Sequence, residues 1–226
     1  MILFRLAVYS VLLGVIMALL MVTPMAADNG LRLLVFSPLA PTLGTSEYSI
    51  VEWLQLAMLA MIAMLAWFST RLVPQYRVIG YLMLSIAVAA GIREMDLFLD
   101  YYVIDHAWQL LVAVLAVVTI VYCYRHAKAL RLAYARAMPS IGIALMVCGV
   151  FTLLIFANLM GHEAFWQRLM GESYLRVAKL AAEEIAELIG YWLWLVGQIE
   201  FTRECRAQYR YVHAHGERRK SGRANK

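Results

Sequence analysis

The sequence predicts an all-α fold, a polytopic membrane bundle of about six helices with both termini in the cytoplasm. Three observations carry that expectation. First, 63% of the 226 residues are hydrophobic, only 15% are charged, and mean hydropathy is +0.70. A soluble domain of this length has too little interior to hide so much apolar surface, so the bilayer must serve as solvent. Second, six apolar segments reach spanning length, about 20 residues each. Third, the basic residues divide unevenly between alternate loops, as the positive-inside rule requires.

The segments run near 4–24, 48–68, 77–98, 107–124, 140–160 and 178–201. The first follows MILFR and precedes MAAD, like a signal peptide, but its apolar core exceeds the usual h-region of about 7–15 residues. It is expected to stay as an anchor, and cleaved or not it leaves the N-terminus inside. The loop after it, with LRLLVFSPLAPTLG, is apolar and broken by prolines. RHAKALRLAYARAMP carries basic residues at helical spacing and is expected to run along the inner surface as a continuation of the fourth helix.

With the N-terminus inside, 15 of the 20 Lys and Arg residues face the cytoplasm, but only 3 of the 15 acids do. Acids contribute little to topology, so their outward excess calls for another explanation. An acidic outer face concentrates cations. Residues 1–202 are thus expected to form the membrane domain, and 203–226 a basic, frayed tail drawn to anionic lipid headgroups. The tail has no recognisable nucleic-acid module, and no nucleic-acid partner is expected. The localisation that fits is a bacterial cytoplasmic (inner) membrane. Cys123, Cys148 and Cys205 are scattered and lack the spacing of a zinc site or disulfide framework.

Two charged clusters interrupt this apolar background. Glu183, Glu184 and Glu187 lie in KLAAEEIAELIGYWLWLVGQI, where each ionised acid costs about 2.5–3.5 kcal/mol in hydrocarbon. On a helical wheel they border a ridge of small residues, Ala182, Ala186 and Gly190, suited to close helix packing. Gly190 and Gly197 are places where another backbone can approach. Arg93, Glu94, Asp96 and Asp100 end the third segment, with Arg93, Asp96 and Asp100 on one face of an uninterrupted helix. Arg93 is expected to act as counter-ion to Asp96 or to a glutamate of the last helix. Both clusters fall at the outer end, in an expected pocket between the third and sixth helices. His106 and His162 fall at the same level. With Glu183 and Glu187 they make a candidate site for a divalent metal ion.

Solvation at the outer boundary accounts equally well for Asp96, Asp100 and Asp105, and a hydrogen-bonded interfacial position for each histidine. Glu187, about five residues inside the apolar stretch, is hardest to explain that way. EEIAEL begins like the EExxxR motif of intramembrane CAAX-type proteases but lacks the arginine. The ExxH pairs of di-iron bundles, GxSxG, HExxH and Walker A are absent.

IREMDLFLD, DHAW and FWQRLMGESYLRVAKLAAEEIAELIGYWL together resemble a group of uncharacterised bacterial inner-membrane proteins with RExD and EExxE motifs in membrane helices. The likeness covers the third to sixth helices. It implies a shared site at Arg93, Glu94, Asp96, Glu183, Glu184 and Glu187 and implies no chemistry. Three function classes follow. The first is a cation- or ligand-binding or accessory component, alone, as a homo-oligomer or with a membrane partner. The second is a metal-dependent hydrolase acting on a lipid headgroup. The third is a small transporter coupled to protons or cations.

Overall fold

The computed structural model describes residues 2–26 and 49–224, all helices and short connections without strands among the described residues. The helices are α1 (Ile2–Ala26), α2 (Ile50–Leu72), α3 (Arg77–Glu94), α4 (Asp96–Tyr102), α5 (Ala107–Arg125), α6 (Ala127–Ala137), α7 (Ile141–Phe151), α8 (Asn158–Met160), α9 (Glu163–Met170) and α10 (Arg176–Ala224). Five stretches are long and apolar enough to cross a membrane: Ile2–Leu20, Ile50–Leu72, Pro74–Glu94, Ala107–Arg125 and Ile141–Met160. The protein is an integral membrane protein by this measure. The sixth expected span, 178–201, forms the N-terminal half of α10 but is not among these five. Its glutamates and Gln198 dilute the apolar character that the other five keep. The proline-broken loop after the first segment lies outside the described residues.

Three details differ from the sequence reading. The third segment is not one helix: α3 stops at Glu94, Met95 has φ −106° and ψ 20°, and α4 restarts at Asp96. The uninterrupted wheel that put Arg93, Asp96 and Asp100 on one face therefore does not apply. The fifth segment widens into a π-helical turn at Thr152–Ala157, where Thr152 Oγ1 donates to the Cys148 carbonyl at 2.9 Å. The expected frayed tail is a continuation of α10, which runs unbroken to Ala224. The inner-surface helix forms as expected, although a turn at His126 separates it from α5.

The chain divides into two compact units, residues 1–58 with 147–196 and residues 59–146 with 197–226. In the first unit, α7 meets α10 where both carry glycine. A Cβ on Gly149 would lie 2.6 Å from the Gly190 carbonyl oxygen and 2.7 Å from the Trp194 nitrogen. Such distances are shorter than carbon tolerates, so only hydrogen fits. In the second unit the same pair of helices meets again. A Cβ on Gly197 would lie 2.6 Å from the Met146 nitrogen, and one on Gly142 would lie 2.7 Å from the Gly197 oxygen. Gly190 and Gly197 are thus the close-approach points the sequence indicated, and Gly142 and Gly149 are their partners. Backbone contact of this kind drives helix association in lipid, where burial of apolar side chains gains little.

The second unit also holds α3 along α5, with Tyr81 and Tyr122 edge to face at 5.6 Å. α6 turns its alanines inward, burying Ala133 and Ala137, and Arg136 Nη1 donates to Gln75 Oε1 at 3.0 Å. Further along α10, Cys205 is fully buried. Burial, reinforced by the charge of Glu204, pushes its thiol from 9.0 up to about 12.

Gly142→Val and Gly149→Val are each expected to lower unfolding stability in detergent by about 1–3 kcal/mol, because the helices must part to admit the side chain. Cys205 gives a pH signature. Its thiol is neutral in folded and unfolded chains below about pH 9, so stability there is unaffected. Above that pH only the unfolded chain ionises, and stability falls until the folded thiol titrates near 12. Melting curves at pH 8 and 10 are expected to show that loss in the native sequence and a smaller one in Cys205→Ala.

Candidate functional site

The first unit brings the glutamates of α10 against the start of α2. The sequence there is SIVEWLQ, and Ser49 caps the helix reciprocally. The Glu52 N–H donates to Ser49 Oγ at 3.1 Å, and the Ser49 N–H donates to Glu52 Oε2 at 3.3 Å. That box fixes where α2 begins and places Gln55 one turn further in, fully buried. Gln55 Nε2 then donates to Glu184 Oε2 at 2.9 Å and to the Glu184 carbonyl at 3.3 Å. Two helices far apart in sequence are joined by one amide. Both bonds go to acceptors, so the orientation of the Gln55 amide is determined by its partners. Its Oε1 is a buried acceptor without a hydrogen-bond partner.

Glu183 is held differently. Lys179 Nζ lies 3.0 Å from its Oε2, one turn back on α10. Its carboxylate also lies against Gly161, just after α8, where a Cβ would collide with it. Gly161 has an ordinary helical backbone, so a larger residue there would displace the flexible glutamate carboxylate rather than strain the chain. Glu187 is 7% exposed, the most deeply buried acid of the three.

The residues near 93–106 belong to the second unit. Arg93 Nη2 lies 3.7 Å from Glu94 Oε1, with the arginine half-exposed and the glutamate buried. Asp96 occupies the first turn of α4, where a negative charge suits the helix dipole. Asp100 Oδ1 is buried without a hydrogen-bond partner. Asp105 and His106 are both exposed, 3.7 Å apart, and His106 takes a left-handed backbone (φ 65°) at the start of α5. Its observed role is in the turn. His162, in the first unit, is likewise exposed and precedes α9.

Among the described residues, no three His, Cys, Asp or Glu side chains are grouped to hold a metal ion. Glu183, Glu187, His106 and His162, the four residues considered for one, form no such group. The two charged clusters fall in different units.

Sequence reasoning missed Gln55, although a glutamine inside an otherwise apolar helix was the available signal. It likewise missed a buried polar set in the second unit. There Ser69 and Thr202 share a hydrogen bond of 3.0 Å, Thr202 Oγ1 donates to the Gln198 carbonyl at 2.7 Å, and Glu200 is 1% exposed.

The helices define a multi-pass α-helical membrane protein, with polar side chains buried among them. Comparison with protein families, curated proteins and solved structures returns no match.

The two arrangements of glutamate predict different costs. Gln55→Leu strips Glu184 of its buried donor and is expected to destabilise the protein by about 1–3 kcal/mol. Glu183→Gln breaks a partly exposed pair and is expected to cost less than about 1 kcal/mol. Unfolding of both variants in one detergent checks the contrast.

Proposed function

We propose that the protein is a non-catalytic component of a bacterial inner membrane, and that Gln55, Glu184 and Glu187 form a binding site for a small monovalent cation. The unpartnered Gln55 Oε1 carries the proposal. Its sister nitrogen is committed to Glu184, so the amide can only accept at that oxygen, and Glu187, three residues further along α10, is buried as well. A buried site with surplus acceptors is stabilised by a positively charged donor or ion. Lys179 supplies such a donor to Glu183. A monovalent ion or an ammonium group suits the one unpartnered neutral oxygen, Gln55 Oε1. The outward excess of acid supports the same reading, because it raises the local concentration of cations.

Thermal unfolding of the full-length protein in detergent tests this, with choline as the reference cation. Sodium, potassium or ammonium is expected to raise stability by about 2.7 kcal/mol at a hundredfold excess over its dissociation constant. Glu187→Gln is expected to remove most of that gain while still folding. Equal stability in choline and in all three cations would sink the proposal. Stoichiometric divalent metal in the purified protein would favour the hydrolase reading instead.

A further inference from the structure

The second unit contains a concavity of about 440 Å³ where α2 ends and the extension of α10 passes. Its origin is local. Arg71 lies in the last turn of α2, Val73 is extended (φ −133°, ψ 103°), and Pro74 opens a short 3₁₀ turn that redirects the chain. The reversal leaves Arg71 and Gln75 on one wall, and α10 supplies Gln208 and Tyr209 on the other. Leu72 and Val212 make its apolar part.

The polar groups have one character. The Arg71 guanidinium carbon lies 4.5 Å from the Trp67 ring centroid, a stacking that leaves the in-plane N–H donors to other partners. Gln75 Oε1 accepts from Arg136 Nη1 at 3.0 Å, which leaves its NH₂ group as a donor. No acid lines the concavity. It therefore offers a cation, amide donors and an apolar side, at the end of a helix long and apolar enough to span. Arginine and tryptophan at such a position match the headgroup level of a bilayer.

We propose that this concavity binds the phosphate-bearing headgroup of an anionic phospholipid, with Arg71 and the Gln75 amide on the phosphate and Leu72 and Val212 beside the glycerol and first acyl carbons. The site is independent of the cation site and is more specific than general attraction of a basic surface to acidic lipid.

Full-length protein, delipidated in detergent, is titrated with phosphatidylglycerol, phosphatidylcholine or glycerol phosphate and read by native mass spectrometry. One phosphatidylglycerol per chain is expected to bind, about tenfold more tightly than phosphatidylcholine. Arg71→Gln should erase that preference, and Arg131→Gln, on the exposed face of α6, should preserve it. Gln208→Glu places an acid in the wall and should also erase it, which decides the matter if Arg71→Gln does not fold. Equal binding of the two lipids, or equal loss in Arg71→Gln and Arg131→Gln, would overturn the proposal. Glycerol phosphate binding as tightly as the lipid would also overturn it, by assigning the site to a soluble phosphorylated ligand.

Discussion

The interaction that most of the first unit depends on is the pair of hydrogen bonds from the Gln55 amide to Glu184. In lipid, helices gain little by burying apolar side chains against one another, and a polar group in the interior must find its partner inside the protein. Gln55 meets that demand with a single side chain. It joins the start of α2 to α10 and gives a desolvated carboxylate a donor. The capping box of Ser49 and Glu52 makes this reproducible, because it fixes the residue at which α2 begins and so the turn on which Gln55 lies. Shifting that start by one residue would turn Gln55 about 100° away.

Glycine makes such polar contacts affordable by holding backbones close. Gly149 against Gly190 in the first unit, and Gly142 against Gly197 in the second, allow α7 and α10 to touch without side chains between them. The spacing of seven residues in both helices is two helical turns, so the glycines return to the same face each time. Gly161 has a related role, with a different object: it clears room for the Glu183 carboxylate. Removing the side chain thus serves helix contact in four places and an acid in one.

The periodic apolar segments made the helices and their order legible, and Gly190 and Gly197 announced close contact before any coordinates. What could not be read was pairing. A wheel gives the face of a residue but not which helix opposes it, so nothing in it marked Glu184 as the partner of Gln55. The helix break at Met95 was equally hidden, since IREMDLFLD contains neither proline nor glycine to mark it. Counting charges also passed over Ser69, Gln198 and Thr202, which bring polar groups into the interior without carrying charge.

Those uncharged groups distinguish the two units chemically. In the first, the unpartnered Gln55 atom is an oxygen, an acceptor that calls for a donor or cation. In the second, Gln198 is fully buried with both its amide nitrogen and its amide oxygen unpartnered, while Ser69 and Thr202 satisfy each other. A group lacking both a donor and an acceptor is balanced by a molecule that offers both, and water is the smallest that does. Leaving the amide dry costs about 1–3 kcal/mol for each orphaned atom, so hydration at Gln198 is the less costly state. A single rule separates the two cases, that each orphaned atom calls for a partner of opposite hydrogen-bonding character. Charge counts alone, which rank the acidic cluster first and miss Gln198 altogether, cannot draw that distinction.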